Sequence, residues 1–291
     1  MARNPAAQTA FGPMVLAAVE HNEPPERRLV DDDLAESFLP AYLRAFVRAT
    51  RIGAVRKAVI AASDRSGPGL WASLACRKRF IDERLSDPLN EVGQVVILGS
   101  GLDTRPYRVA RHNDLPVFEV DQQVNIDRKA ALVHKVLGGL PASVRLVAVD
   151  FERDDLMSAL SAQGFHDDGA TLFIWEGVTQ YLTPEGVHAT FEQLRQTAPG
   201  SRLIFTYVRQ DFIDGVNLYG AQTLYRKTRK RQTLWKSGFE PERLEEILRG
   251  YGWRVVEQVG PSYYRDLYIR PTGRTISASP IEWTAVAVRS D

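Results

Sequence analysis

The sequence predicts an α/β protein, with a doubly wound parallel sheet preceded by an N-terminal cap of helices. From Gln94 onward, short apolar runs alternate with helical segments, a pattern typical of strand–helix–strand units. The first run, VVIL at 95–98, leads directly into Gly99 and Gly101, and a strand that ends in a glycine turn brings backbone N–H groups close to a ligand. Residues 1–90 show helical spacing and few strand signals, which predicts the cap.

The composition is that of an ordinary globular protein. The 291 residues are 44% hydrophobic and 25% charged, and the formal net charge of +1 gives no argument for nucleic acid or a membrane surface. One cysteine and five scattered histidines predict neither a disulfide nor a metal site. There is no apolar run of about 18 residues and no recognisable signal peptide. We therefore expect a cytoplasmic protein, while the oligomeric state is not readable.

The cap and the core are expected to form one domain, with 1–90 as cap and 91–291 as core. Cap helices are predicted at Thr9–Glu20, from near Leu34, at Ala54–Ala62 and at Leu70–Leu85. The second would be capped by an aspartate at 31–33 and would present Phe38, Tyr42 and Phe46 on one face, because they are spaced by four residues. Elaborations on the substrate side of the core are expected at 209–236 and 260–280.

Seven strands and four helices are predicted in the core. The strands are Val95–Leu98, Val117–Val120, Val144–Val149, Leu172–Trp175, Leu203–Val208, Arg254–Val259 and Glu282–Arg289. The helices are Asn125–Leu137, Asp154–Gln163, Glu185–Thr197 and Pro241–Arg249. Ligands of open α/β sheets bind beyond the carboxyl ends of the strands, so the residues that follow each strand are the candidates for a site.

The second, third and fourth predicted strands are each followed by a residue with a carboxylate side chain. Asp121 stands about 20 residues beyond the glycines, where an acid commonly binds ribose hydroxyls; Asp150 and the adjacent Phe151 suit an adenine ring; Glu176 suits an ammonium group. Singly, each acid has an alternative as a helix cap or turn residue. Together they predict a cationic, adenosine-bearing ligand, S-adenosylmethionine, because an acid-lined cleft favours positive charge.

The same residues carry a family resemblance. GSGLDTR, FEVD, VAVDF and WEGVTQYLTPE stand in the order and spacing of the leucine carboxyl methyltransferase-like family. Similar segments include TAFGPMVLAAVE, RRLVDDDLA and ACRKRFID before the sheet, and APGSRLIFTYV and GFEPERLEEILRGYGWRV after it. This class I family includes bacterial O-methyltransferases of polyketide pathways. The resemblance implies a Rossmann-like, seven-stranded sheet with a helical lid and S-adenosylmethionine as cofactor.

The resemblance also assigns roles to individual residues. It implies that the cofactor lies against Gly99, Ser100 and Gly101, with Asp121 on the ribose, Asp150 and Phe151 on the adenine side, and Glu176 on the methionine end. Arg77 would pair with the cofactor carboxylate, and Arg79 is the alternative. Ser100 replaces the usual alanine and Phe151 a frequent leucine, and both departures are mild.

The acceptor is expected to be a small molecule of secondary-metabolite type, of the kind that a biosynthetic pathway presents. A carboxylic acid, with a pKa near ~4, is ionised at neutral pH and needs no base, whereas a phenol, near ~10, is not. Because no histidine ends a strand, we favour a carboxyl acceptor that gives a methyl ester. The alternatives are a phenolic or hydroxyl acceptor and a protein C-terminal carboxyl group.

Five residues are candidates for acceptor contacts. They are Arg105, Tyr181, Tyr207, Arg209 and Tyr225, with a bracing role as the alternative for the first two. The basic run at 226–231 suits an anionic partner or forms a solvated helix face. Two other functions stay open: a nicotinamide-dependent oxidoreductase, although Thr104 leaves the G-x-G-x-x-G fingerprint incomplete, and a non-enzymatic domain that binds nucleic acid through the basic run.

Overall fold

A single seven-stranded sheet forms the centre of the molecule. The computed structural model describes residues 11–86, 89, 91–230 and 234–290. The strands are β1 (Gln94–Leu98), β2 (Val117–Asp121), β3 (Val144–Ala148), β4 (Thr171–Trp175), β5 (Arg202–Val208), β6 (Trp253–Val259) and β7 (Glu282–Arg289). Each lies within two residues of its predicted bounds, so the predicted strands are confirmed.

The order of the strands places a ligand crevice beside β1. The sheet runs β3-β2-β1-β4-β5-β7-β6, so the chain winds outward from β1 in one direction and, from β4, in the other. The strand pairs from β3 to β5 are parallel, whereas β7 runs antiparallel to both β5 and β6. The point at which strand order reverses, between β1 and β4, is where open α/β sheets bind ligands.

Helices cover both faces of the sheet. They are α1 (Phe11–Glu20), α2 (Ala41–Ala49), α3 (Gly53–Ser66), α4 (Leu70–Ser86), α5 (Arg105–Val109), α6 (Gln123–Leu137), α7 (Leu156–Ser161), α8 (Pro184–Leu194), α9 (Gln210–Ile213), α10 (Gln222–Lys230) and α11 (Leu244–Gly250). On β1, Val95 and Ile97 pack with α1, α4 and α6, whereas Val96 and Leu98 pack with α7, α8 and α11. The alternating side chains of a strand thus fill two cores.

The connection to β7 is more helical than predicted. Short helical turns follow β6 directly at Pro261–Tyr263, Tyr264–Ile269 and Arg270–Thr272. Tyr264, Tyr268 and Ile269 are buried in the same core as α1 and α4. The segment therefore fixes the cap to the C-terminal part of the chain.

The predicted helix near Leu34 is wrong. Residues 33–38 form turns, and α2 begins only at Ala41, after Pro40. Proline has no N–H to donate and disfavours helical geometry in the residue before it, so one helix cannot run through this position. As a result Tyr42 is 70% exposed, and the predicted apolar face is not continuous.

Two sequence expectations concern membranes and metals. Within the described residues, no helix combines the length and the apolar character needed to cross a bilayer. In the same part of the chain, no three His, Cys, Asp or Glu side chains are grouped closely enough to bind a metal ion.

Candidate active site at the carboxyl ends of the strands

The glycine turn after β1 closes tightly against the end of β4. Gly99 and Gly101 have φ angles of +69° and +46°, in the left-handed region that favours glycine. The N–H groups of Gly99 and Ser100 both donate to the carbonyl of Val120, at 2.8 and 3.0 Å. A Cβ atom on Gly99 would overlap the side chain of Val178, which follows β4. The turn therefore requires glycine for its backbone angles and for the space.

We expect Gly99→Ala to destabilise the protein by about 1–3 kcal/mol more than Gly138→Ala, because of the added overlap with Val178. Gly138 is the matched control: its φ is +83°, but nothing lies within 4 Å of its Cβ position. Both variants therefore carry backbone strain, and only Gly99→Ala carries the clash. Urea denaturation measures the difference, and equal losses of stability would contradict the steric argument.

Asp121 ends β2 and accepts hydrogen bonds from the glycine turn. Its Oδ2 accepts from the N–H of Gly101 at 2.7 Å, and its Oδ1 accepts from the N–H of Gln122 at 2.7 Å and from the side-chain amide of Asn125 at 2.8 Å. The residue is 8% exposed. Since a carboxylate has about four lone-pair sites, Asp121 retains capacity for a further donor beside the turn.

Asp150 and Phe151 lie at the end of β3. Asp150 is half-buried, and its carboxylate accepts from the N–H of Glu152 at 3.1 Å. Asp155, not Asp150, caps α7, through a 2.7 Å bond from the N–H of Ser158. Phe151 is buried, with its ring 6.3 Å from that of Trp175. The alternative role of Asp150 as a helix cap is therefore wrong.

Glu176, at the end of β4, lies in a buried cluster of charges. Its Oε1 accepts from Nε of Arg77 at 2.9 Å and lies 3.7 Å from Nζ of Lys78, while its Oε2 accepts from Nη1 of Arg105 at 2.6 Å. The exposed fractions of the Arg77, Glu176 and Arg105 side chains are 5%, 7% and 1%. Three cations from α4 and α5 thus converge on one carboxylate.

Further carboxylates balance these cations. Arg77 also pairs with Glu282 at the start of β7, and Arg105 pairs with Asp82 and, at 2.7 Å, with Asp103. The carboxylates joined in this way stand at positions far apart in the chain. We call the whole set, Arg77, Lys78, Asp82, Asp103, Arg105, Glu176 and Glu282, the charge cluster.

The pKa values follow from burial and from the neighbouring charges. Burial alone would raise the pKa of Glu176, but Lys78, Arg105 and Arg77 together hold the pKa of this carboxyl well below its usual range. In the same way, Arg105 and Lys78 outweigh burial and lower the pKa of Asp103. At Glu282 burial outweighs Arg77, so its pKa is raised. Glu176 is therefore the anion around which the cluster is built.

Sequence reasoning missed four members of the charge cluster. Asp82 and Asp103 lie within the ACRKRFID and GSGLDTR motifs, so the motifs themselves point to both residues. Lys78 stands beside Arg77 and could have been found in the same way. Glu282 opens β7, and only the fold brings it to the edge where β4 ends.

The contacts of Arg77 and Arg79 differ. Arg77 lies inside the charge cluster, whereas Arg79 pairs with Glu83 at 2.8 Å and lies over the ring of Tyr268, with its side chain 39% exposed. Of the two predicted arginines, Arg77 is thus the one placed beside Glu176.

The predicted acceptor contacts are spread over several environments. The guanidinium group of Arg105 is paired within the charge cluster, which favours the alternative that Arg105 braces the site. Tyr181 is half-buried in the one-turn helix Thr179–Tyr181. Tyr207 is fully buried, and its hydroxyl has no partner among the described residues. Arg209 pairs with Asp211 at 3.2 Å, and Tyr225 accepts from Arg229 at 3.1 Å. Their acceptor roles stay predictions.

The basic run at 226–231 forms the end of a helix. Helix α10 ends at Lys230, and Arg231 lies outside the described residues. Arg226 and Lys227 are exposed, while Thr228 is buried. The segment after it returns to the site edge, because the N–H of Lys236 donates to the carbonyl of Gln180 at 2.7 Å.

The strand order, the glycine turn and the acids at successive strand ends define the class I methyltransferase fold. Residues 10–195 match the leucine carboxyl methyltransferase family. The chain belongs to this family of S-adenosylmethionine-dependent methyltransferases, so the resemblance in the sequence is confirmed. The match favours methyl transfer over the nicotinamide and nucleic-acid alternatives.

Individual relatives are similar over part of their length. A protein named as an S-adenosyl-L-methionine-dependent methyltransferase in Mycolicibacterium smegmatis is 33% identical over 210 residues, which cover 69% of this chain and 68% of that protein. A similarly named protein of Mycobacterium bovis is 42% identical over 138 residues, 46% of this chain and 45% of its own. The chain thus spans less than half of this second relative.

Solved structures share the fold. A protein named as a methyltransferase in Thermobifida fusca superposes with a TM-score of 0.56 at 22% identity, covering 81% of this chain and 89% of that one. A DUF574-family protein of Streptomyces avermitilis gives 0.55 at 16% identity, covering 81% and 90%. At these identities the likeness concerns the fold alone.

Proposed function

We propose that this chain transfers the methyl group of S-adenosylmethionine to an oxygen of a small-molecule acceptor, with a carboxylate as the preferred acceptor. The observation that carries the proposal is the Arg77–Glu176 pair at the switch point between β1 and β4. A guanidinium and a carboxylate 2.9 Å apart match the carboxylate and ammonium of an amino acid. Such a zwitterion is one end of the cofactor.

The other strand ends supply the remaining contacts that the cofactor needs. Asp121 has lone-pair capacity for ribose hydroxyls beside the glycine turn, and the end of β3 offers Asp150 and Phe151 as the proposed contacts of the adenine ring. Arg77 has five N–H donors and commits only some of them to Glu176 and Glu282, so it can also take the cofactor carboxylate. The residues present therefore fit S-adenosylmethionine.

The proposed reaction requires the protein to align the reactants rather than to transfer a proton. When bound, S-adenosylmethionine supplies an electrophilic methyl group: the acceptor oxygen forms the C–O bond as the C–S bond breaks, and the electron pair stays on sulfur. Holding the acceptor in line and excluding water is then the main contribution of the chain. Among the described residues, the side chain of His21 bonds to Asp31 and that of His188 to Tyr251. An ionised carboxylate needs no base, which supports it as acceptor.

We expect the purified chain, given S-adenosylmethionine labelled in its methyl group, to label aromatic carboxylic acids in preference to the matching phenols. A methyl ester releases labelled methanol in mild alkali, whereas a methyl ether does not, so alkaline treatment separates the two products. The rate on a carboxylate should be flat between pH 6 and 9, since the acceptor is already ionised there.

Two results would count against the proposal. Alkali-stable label, formed at a rate that rises as the pH approaches the pKa of the phenol, would show that the acceptor is a phenol and not a carboxylate. Label recovered on the C-terminal carboxyl group of an added protein, and on none of the small molecules, would replace the small-molecule acceptor by a protein.

A further inference from the structure

A buried ion pair lies beneath the glycine turn and is separate from the charge cluster. Glu119 of β2 and Lys129 of α6 are 0% and 1% exposed, and Nζ of Lys129 contacts Oε1 of Glu119. The other carboxylate oxygen accepts from the hydroxyl of Tyr107 on α5. Both oxygens of Glu119 are thus engaged, and the lysine is held at a fixed place.

The lysine links this pair to the turn. Nζ of Lys129 lies 3.4 Å from the carbonyl oxygen of Ser100, which also accepts from the N–H of Asp103 at 2.7 Å. The next N–H in the chain, that of Gly101, donates to Asp121 at 2.7 Å. One peptide unit, between Ser100 and Gly101, is therefore contacted at its carbonyl by Lys129 and the N–H of Asp103, and at its N–H by Asp121.

A buried ion pair is weak evidence for a contribution to stability. Replacing a buried ion pair by apolar residues of similar volume is often neutral or stabilising, because the desolvation of two charges offsets their attraction. The peptide it holds has a demanding geometry, with Gly101 at a φ of +46°. Lys129 contacts the carbonyl of the same peptide unit whose N–H donates to Asp121, so the ion pair and the Asp121 carboxylate meet on one peptide.

We propose that Glu119 and Lys129 are positioning residues: through the Ser100–Gly101 peptide, they orient Asp121 toward the ribose hydroxyls of the cofactor. The inference rests on the proposed function, in which Asp121 binds the ribose. It adds two residues that do not touch the cofactor and assigns to them a part of its recognition.

The test compares S-adenosylhomocysteine with its 2′-deoxy analogue by calorimetry, in the wild type and in the double variant Glu119→Gln/Lys129→Met. The double change removes both charges together, so neither is left buried and unpaired. The wild type is expected to prefer the ribose form by about tenfold, the effect of one hydrogen bond to a charged group. In the double variant the preference should fall to about twofold, while the affinity for the deoxy analogue changes little. If the pair had only a structural role, the double variant would bind both ligands more weakly by the same factor.

The control is another buried ion pair. Arg274 bonds to Glu20 at 2.7 and 2.9 Å, with side chains 4% and 0% exposed, and the pair joins α1 to the loop before β7. Glu20→Gln/Arg274→Met should leave the preference for ribose unchanged. If it lowers the preference as much as the Glu119/Lys129 change does, the effect is a general loss of stability and the inference is overturned.

The remaining outcomes separate the inference from the proposed function. A wild type without preference for the ribose form would overturn the role of Asp121 and the inference with it. A wild type with the preference, and a double variant that keeps it, would overturn the inference alone. If the double variant does not fold, Tyr107→Phe/Glu119→Leu/Lys129→Leu offers an apolar replacement. Failure of both to fold would show that the pair serves the fold, which also overturns the inference.

Discussion

Replacing Asp121 by Ala is expected to weaken binding of S-adenosylhomocysteine at least about 100-fold, because two hydroxyls of the ribose lose their charged acceptor at about 1.5–3 kcal/mol each. The change also removes the acceptor of the Gly101 N–H, so some stability is lost. Asp121→Asn keeps the size of the side chain, and it should lower the affinity in the same direction. Calorimetry gives the affinity, and a thermal melt followed by circular dichroism shows that the fold is retained.

The control for this prediction is Asp127→Asn. Asp127 is an exposed acid on α6, bonded to Gln123 at 2.7 Å, and its replacement should change neither the affinity for S-adenosylhomocysteine nor the thermal melt. An affinity within threefold of wild type for Asp121→Ala would show that the ribose is bound elsewhere.

Glu176→Gln is expected to destabilise the protein by about 3–5 kcal/mol and to abolish methyl transfer. It removes the carboxylate on which Arg77, Lys78 and Arg105 converge, and a buried charge that loses its partner is costly. Urea denaturation at neutral pH measures the loss. The matched control is Glu245→Gln, which breaks an exposed pair with Arg249 and should cost only about 0.3–0.5 kcal/mol.

The same variant has a defined pH dependence. The pKa of Glu176 is lower in the folded state than the ordinary value of 4.5, so its stabilising effect is complete above pH 4.5 and is lost as the pH falls through the folded pKa. The difference in stability between wild type and Glu176→Gln should therefore narrow below pH 4.5. A difference that stays constant down to pH 3 would mean that ionisation of Glu176 is not the cause.

The sheet could be predicted from the sequence because its strands are short apolar runs bounded by clear turn signals. The acids at the strand ends could be predicted for a similar reason, since parallel strands carry their last residues to one edge. The helix near Leu34 could not be placed, because its apolar spacing was regular while the effect of Pro40 on the backbone prevailed. The local apolar spacing predicts a helix there, whereas the structure has turns up to Pro40.

The partners of the site residues were harder to predict than the residues themselves. Arg77 and Glu176 were assigned to the carboxylate and the ammonium group at the methionine end of the ligand, but nothing in the spacing shows that they bond to each other. The pairing depends on how α4 crosses the sheet, and Glu282 joins it only because β7 is inserted between β5 and β6. Burial of Tyr207 likewise depends on packing against Phe239, which comes 32 positions later in the chain.

Arg77 forms its bonds with residues 99 and 205 positions further along the chain. Such contacts join segments far apart in the chain, so the charge cluster is complete only when α4, the end of β4 and the start of β7 are all in place. A ligand that binds there will add its binding energy to the cooperative stability of the whole molecule, and it will protect distant segments from proteases and hydrogen exchange. Cofactor binding is thus a readout of correct folding from the cap to the last strand.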